Sequence, residues 1–158
     1  MKPLKLARSI CVAGALSSVC CANAISQENN KAQTQPVPLA TSVVTLSQAQ
    51  MEQLSGSVFY QYFAGQTYGT EDTLVGVAVI EPGQEIHPPH QHAEEEFLMV
   101  IEGAGIWTLN DETFTAQAGD ILYAAPWDLH GVLNSGDKPL KFVVFKWNNK
   151  GVAAPAEP

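Results

Sequence analysis

The stretch "HPPHQHAEEE", residues 87–96, holds three histidines, two prolines and three glutamates. Imidazole and carboxylate side chains bind divalent transition metals without help from sulfur. His90 and His92 are two positions apart. On an extended strand, residues two apart point to the same side, so an H-x-H pair can aim two imidazoles at one point. Glu96 follows where the chain enters an apolar run, and His130 opens a later apolar segment. Three neutral imidazoles and one carboxylate would suit Fe(II), Mn(II), Ni(II), Cu(II) or Zn(II), and they lack the soft sulfur that selects Cu(I) or structural zinc. The competing reading is a solvated polar turn, since a lone surface histidine usually has no partner. Glu94 and Glu95 read as solvated charges at a bend, with Glu95 the runner-up ligand if the register slips by one. Pro88 biases His87 to an extended backbone. His87 fits no ligand position and reads as a partly exposed turn residue rather than a gate or proton shuttle.

These side chains need a scaffold, and the chain reads as strands and turns. "SVFYQYF" (57–63) and "TLVGVAVI" (73–80) are β-branched and aromatic, and "EPG" (81–83) suits a type II turn. "EFLMVIEG" (96–103) is apolar on both parities, which predicts burial on both faces. "GIWTLN" (105–110) and "ETFTAQ" (112–117) flank a hairpin turn at Asn110–Asp111. "DILYAA" (120–125), "HGVLN" (130–134) and "LKFVVFKW" (140–147) complete the strands, with "SGDK" (135–138) as a further turn. "TLSQAQMEQLSG" (45–56) suits a short helix capped by Ser47 with Gln50 and ended by Gly56. Many short strands with Gly and Pro punctuation predict one all-β domain, a sandwich or barrel. Trp107, Tyr123, Trp127 and Phe142 read as core or interface residues, with Tyr123 and Trp127 the two nearest the His130 segment. Asp128 reads as a turn residue that could also handle protons near the site.

The ends of the chain are not part of that scaffold. Lys2, Lys5 and Arg8 precede the apolar run "SICVAGALSSVCC" (9–21) and the small-x-small sequence "ANA" (22–24). That order reads as a secretory signal peptide over residues 1–24, because the apolar run is too short for a membrane span. A membrane anchor and a lipid-bearing cysteine are the alternatives. Cleavage would remove Cys11, Cys20 and Cys21, leaving no disulfide and no thiolate ligand. It would place the protein in the periplasm or outside the cell. Residues 25–42 are polar with two prolines and read as a flexible lead, 43–150 as the domain, and 151–158 as a fraying tail. From Ile25 onward the chain has five lysines, no arginine and sixteen acids, a net charge of −11. That balance opposes binding to nucleic acid and to anionic membranes, and favours solubility.

At this point the residues resemble the cupin superfamily, in particular its small single-domain members. The family's first motif is G, five residues, H-x-H, three or four residues, E, six residues, G. Here "GQEIHPPHQHAEEEFLMVIEG" supplies Gly83, His90-Gln91-His92, Glu96 and Gly103, with one extra residue before His90. The second motif is G, five residues, P-x-G, two residues, H, three residues, N. Here "GDILYAAPWDLHGVLN" supplies Gly119, His130 and Asn134 at the family spacing. Pro126 sits one position late, and Trp127 occupies the glycine position.

The resemblance implies a double-stranded β-helix, or jelly-roll barrel, whose metal ligands are His90, His92, Glu96 and His130. It also implies a homodimer, an expectation to which the aromatic strand "SVFYQYF" contributes. Four protein ligands leave room for a substrate, and open positions favour catalysis or ligand capture. The function expected is a dioxygenase-type enzyme acting on a small molecule, with Glu96 able to act as a base. A metal-dependent lyase or isomerase, with Tyr123 or His87 removing a proton, is the alternative. A periplasmic protein that captures a small ligand or metal without turnover is a third reading.

Overall fold

The computed structural model describes residues 37–158. The expected signal peptide and most of the expected lead lie outside the described residues. Nine strands follow in order: β1 (Gln50–Leu54), β2 (Ser57–Gly65), β3 (Thr70–Ile80), β4 (Glu95–Glu102), β5 (Ala104–Leu109), β6 (Glu112–Gln117), β7 (Ile121–Ala124), β8 (His130–Leu133) and β9 (Leu140–Asn149). They form two antiparallel sheets, of order β1-β2-β3-β9-β4-β7 and β6-β5-β8. This is the all-β architecture that the strand spacing predicts, in the jelly-roll form that the resemblance implies.

Each sheet turns one face inward, because alternate residues of a strand point to opposite sides. Ala78 and Ile80 of β3, Leu98 and Val100 of β4, Trp107 of β5 and Phe142 and Val144 of β9 form the core with their neighbours. Each large side chain buried this way contributes about 1.5–3 kcal/mol. The turns are those that the sequence predicts. Gln84 N–H donates to the Glu81 carbonyl at 3.1 Å, and Gly83 has φ of 73°, as a type II turn requires. Asn110 takes the left-handed φ of 52° that closes the β5–β6 hairpin. Asn134 is fully buried. Its amide donates to the carbonyls of Ile80 at 2.8 Å and Lys138 at 2.9 Å, and its oxygen accepts from Gly136 N–H at 3.0 Å. One side chain therefore shapes the 135–138 turn and ties the end of β8 to β3.

Two expectations are corrected. Residues 45–56 do not form a helix. A single turn begins at Thr45, whose N–H bonds Gln48 Oε1 at 3.0 Å, and the chain then extends as β1. Five backbone pairs with β2, from Gln50↔Gln61 to Leu54↔Ser57, outweigh helical propensity. Gly56, at φ 73°, serves the hairpin turn rather than a helix end. Nor is β4 buried on both faces: Leu98 and Val100 face the core, while Phe97, Met99 and Ile101 are exposed. An apolar run alone does not say which parity is covered.

At the ends, Leu39 N–H donates to the Gln66 carbonyl at 2.7 Å. Residues 153–158 have no regular structure, but the Pro155 carbonyl accepts a 2.8 Å bond from the Trp127 indole.

Candidate metal centre

His90 and His130 are forty positions apart and face each other as an isolated antiparallel bridge. His90 N–H donates to the His130 carbonyl at 3.0 Å, and His130 N–H to the His90 carbonyl at 2.9 Å. A pair that exchanges both bonds carries its side chains on one face. The approach requires a glycine next door. A Cβ on Gly131 would lie 3.0 Å from Pro89 Cα, so the "HPPH" turn beds directly onto the backbone after His130. His92 is held differently. It lies outside any strand, and its carbonyl accepts a 2.8 Å bond from Trp127 N–H. Trp127 has φ of 69°, so the tryptophan at the glycine position takes a backbone conformation that suits glycine.

The three imidazoles converge. Ring centroids are 5.1 Å apart for His90–His92, 4.8 Å for His90–His130 and 4.9 Å for His92–His130. One ligand atom from each lies within 4.8 Å of the others. Glu96, inward-facing on β4 and buried, completes the group. Its Oε2 is 3.1 Å from His92 Nε2, and its Oε1 is 3.5 Å from His130 Nε2.

The hydrogen bonds of the outer ring atoms decide what this cluster wants. His130 Nδ1 meets the Asp128 carbonyl at 2.8 Å, and His92 Nδ1 meets the Glu94 carbonyl at 3.1 Å. A carbonyl only accepts, so in both rings Nδ1 carries the hydrogen. In the neutral ring Nε2 is then a lone pair, aimed inward at a carboxylate. A lone pair facing an anion at these distances requires a cation between them, a proton or a metal. His90 Nδ1 and His130 Nε2 are buried with no hydrogen-bond partner, which a metal would also satisfy. The donor set therefore fits a divalent transition metal.

The charges are arranged to match. Burial works to raise the Glu96 carboxyl, but the imidazoles of His130 and His92 outweigh it and hold it down at about 2. Burial, and then the neighbouring His87, His130 and His92, bring His90 down to about 4. Burial opposes the charge on His130 too, but the Glu96 carboxylate and the Asp128 carbonyl prevail and raise it. At neutral pH His90 is a ready neutral ligand and Glu96 a ready anion.

The cluster opens into a cavity of about 380 Å³ whose walls include Phe59, Leu98, Phe142 and Val144. His87 lies at this cavity with its ring edge-on to His90, centroids 4.0 Å apart. Tyr123, expected near the reaction centre, is on the wrong parity. Its neighbour Ala124 pairs with Glu96 and faces in, whereas Tyr123 pairs with Phe97, faces out and is 45% exposed. Glu95 likewise has the opposite parity to Glu96, and accepts a 3.3 Å bond from Asn149 Nδ2. Asp128 serves the turn: its carboxylate accepts from Asn110 Nδ2 at 3.1 Å, and its carbonyl orients His130. Lys146, which the sequence reading does not single out, also lines the cavity. Lys146 belongs to the inward series Leu140, Phe142, Val144, Lys146 of β9, and period-two alternation would have found it.

Two antiparallel sheets closed around a histidine cluster define a jelly-roll barrel with a metal-type site. Residues 76–146 match the family model described as the cupin domain. This stretch of the barrel, a little under half of the chain, is thus similar to cupin domains. Gentisate 1,2 dioxygenase 1 of Aquipseudomonas alcaligenes is 36% identical over 72 residues, covering 45% of this chain and 20% of that protein. The dimethylsulfoniopropionate lyase DddW of Ruegeria pomeroyi is 35% identical over 78 residues, covering 47% of this chain and 50% of that protein. The chain thus matches half or less of the length of these two relatives. Among solved structures, an RmlC-like cupin from Shewanella frigidimarina superposes with a TM-score of 0.58 at 15% identity, over 71% of this chain and 95% of that one. That likeness shows the fold.

Proposed function

We propose that this is an exported, metal-dependent cupin enzyme of dioxygenase type acting on a small organic molecule. The observation that carries the reading is the convergence of three imidazoles, with Nε2 of His92 and of His130 turned toward the buried Glu96 carboxylate and His90 beside them. His90, His92, His130 and Glu96 would hold one divalent transition metal. Bound there, such an ion supplies Lewis acidity and a place to bring substrate oxygen and dioxygen together. The protein's own contribution is positioning. The His90–His130 bridge fixes two rings, the Asp128 and Glu94 carbonyls fix two tautomers, and the apolar walls keep water from the reacting centre. Glu96, held as an anion between two imidazoles, would supply the ion's one carboxylate ligand. The similarity to a gentisate dioxygenase supports this reaction class.

A lyase is the second reading. His87 stands at the cavity against His90 without belonging to the ligand set, which suits a base that removes a proton, and a lyase is among the similar proteins. Elemental analysis of the purified mature protein, followed by turnover of small acids and phenols with oxygen uptake recorded, tests both. Product with oxygen consumption supports the dioxygenase, and product without it the lyase. Metal with neither product supports a binding protein, and absence of metal refutes the reading.

The proposed signal peptide puts this chemistry in the periplasm or outside the cell. We also propose a homodimer. Its basis is the outer face of β4, β7 and β9 rather than β2. Phe97, Met99, Ile121, Tyr123 and Phe145 are exposed there in one register-linked patch, with the Phe97 and Tyr123 rings 4.8 Å apart. An apolar patch on a monomer's surface is a common mark of an interface.

A further inference from the structure

The cavity that meets the histidine cluster is apolar for most of its wall, yet one lysine lines it. Lys146 stands in β9 between Leu74 of β3 and Glu96 of β4, its cross-strand partners, and all three line the cavity. The strand's inward series places an apolar side chain at Leu140, Phe142 and Val144, and then a lysine. The described residues contain four lysines and no arginine. Of these, Lys141 pairs with Glu102 at 2.8 Å, and Lys150 donates to the Thr67 carbonyl. Lys146 is the one lysine among the described residues that lines this cavity.

Its donors are underused. Among the described residues its one ion pair is with Glu94 Oε1, at 3.5 Å, long for a charge-assisted hydrogen bond. An ammonium has three donors. A partly buried lysine with donors to spare, in a chamber otherwise walled by Phe59, Phe142 and Val144, is arranged to receive an anion from the solvent side. The cavity's own carboxylates, Glu52 and Glu96, do not pair with it.

We propose that Lys146 is a specificity residue that anchors the carboxylate of a small organic acid with an apolar or aromatic body. The apolar body would lie against Phe59 and Phe142, with the reacting end at the histidine cluster. The anchoring end rests on Lys146 alone, whereas the reacting end rests on the metal-site reading above. The ligand would displace or share the long Glu94 ion pair.

The test uses the full-length mature protein loaded with metal, with benzoate and the neutral, near-isosteric benzamide as probes in isothermal titration calorimetry. Metal content is measured on the same samples. The wild type is expected to bind benzoate at least about tenfold more tightly than benzamide, as a charge-assisted contact predicts. Lys146→Met should abolish that preference while leaving benzamide affinity and metal content unchanged, and Lys146→Arg should retain most of it. Circular dichroism checks each fold, and Lys146→Gln substitutes for the methionine variant if that one misfolds. A wild type that shows no preference, one that fails to bind benzoate, or a preference that survives loss of the ammonium overturns the proposal. If the samples hold no metal yet the preference still depends on residue 146, the anchor stands and the metal centre falls. If metal is bound and residue 146 is irrelevant, the anchor alone falls.

Discussion

His90 and His130, forty positions apart in the chain, exchange both of their backbone hydrogen bonds, at 3.0 and 2.9 Å. Main-chain geometry therefore brings two of the three rings together. His92 is the member not held by this bridge, and its ring is directed by the Glu94 carbonyl.

His92→Ala is accordingly expected to lower metal occupancy at least about tenfold, in line with the loss of one donor from a small ligand set. The far-ultraviolet circular dichroism should stay that of the wild type, because no strand depends on residue 92. Undiminished stoichiometry by elemental analysis would remove His92 from the ligand set.

Freed of metal by a chelator, the protein should be most stable near pH 6.5. His90 is held at about 4, below the ordinary 6.5. A group with a lowered folded value binds fewer protons in the folded state, so its contribution is lost as the pH falls from about 6.5 through 4. Glu96, at about 2 against an ordinary 4.5, extends that loss between pH 4.5 and 2. His130 is raised, so its contribution is complete below 6.5 and disappears as the pH rises through its folded value. Melting temperature followed against pH in chelator should fall on both sides of the maximum. A profile that is flat from pH 4.5 to 6.5 would contradict the account.

Trp127 has a glycine-type backbone at φ 69° while its indole holds Pro155. Comparing two truncations separates the two effects. Trp127→Ala and Trp127→Gly both lose the indole bond, but only alanine keeps the left-handed strain. The glycine variant should be more stable than the alanine variant by about 1 kcal/mol, read by denaturant unfolding. Equal stabilities would mean that the backbone is not strained there.

The exposed patch around Phe97 predicts a dimer that a single charge disrupts. Phe97→Glu should raise the dissociation constant at least about 100-fold, as for a central interface position. Multi-angle light scattering at micromolar concentration should show two chain masses for the wild type and one for the variant. A wild-type monomer would refute the patch as a self-association surface.

The strands were legible because turn residues punctuate period-two patterns: "EPG", Asn110–Asp111 and "SGDK" each lie where the chain reverses. What alternation could not say was which parity is covered. The run from Phe97 to Ile101 is apolar throughout, so the exposure of Phe97 and Met99 is set by what the sheet packs against, not by strand composition. Tyr123 was misplaced for the same reason, being near His130 in sequence but opposite to Ala124 in parity. The helix expected at 45–56 failed because pairing with β2 is a long-range gain that local propensity does not contain. His90 and His92 were identified by a same-side argument that assumes a regular strand. They do converge, but a two-residue bridge and a carbonyl contact achieve it. The alternation of β9 turns Lys146 inward, although its segment reads as core.

The link between His90 and His130 runs through peptide groups, which every residue but proline possesses. Either imidazole can therefore be exchanged for another side chain without unfastening the join. Such a chamber can change its inward side chains by successive point changes, so descendants of this barrel could diverge in chemistry while remaining alike in shape.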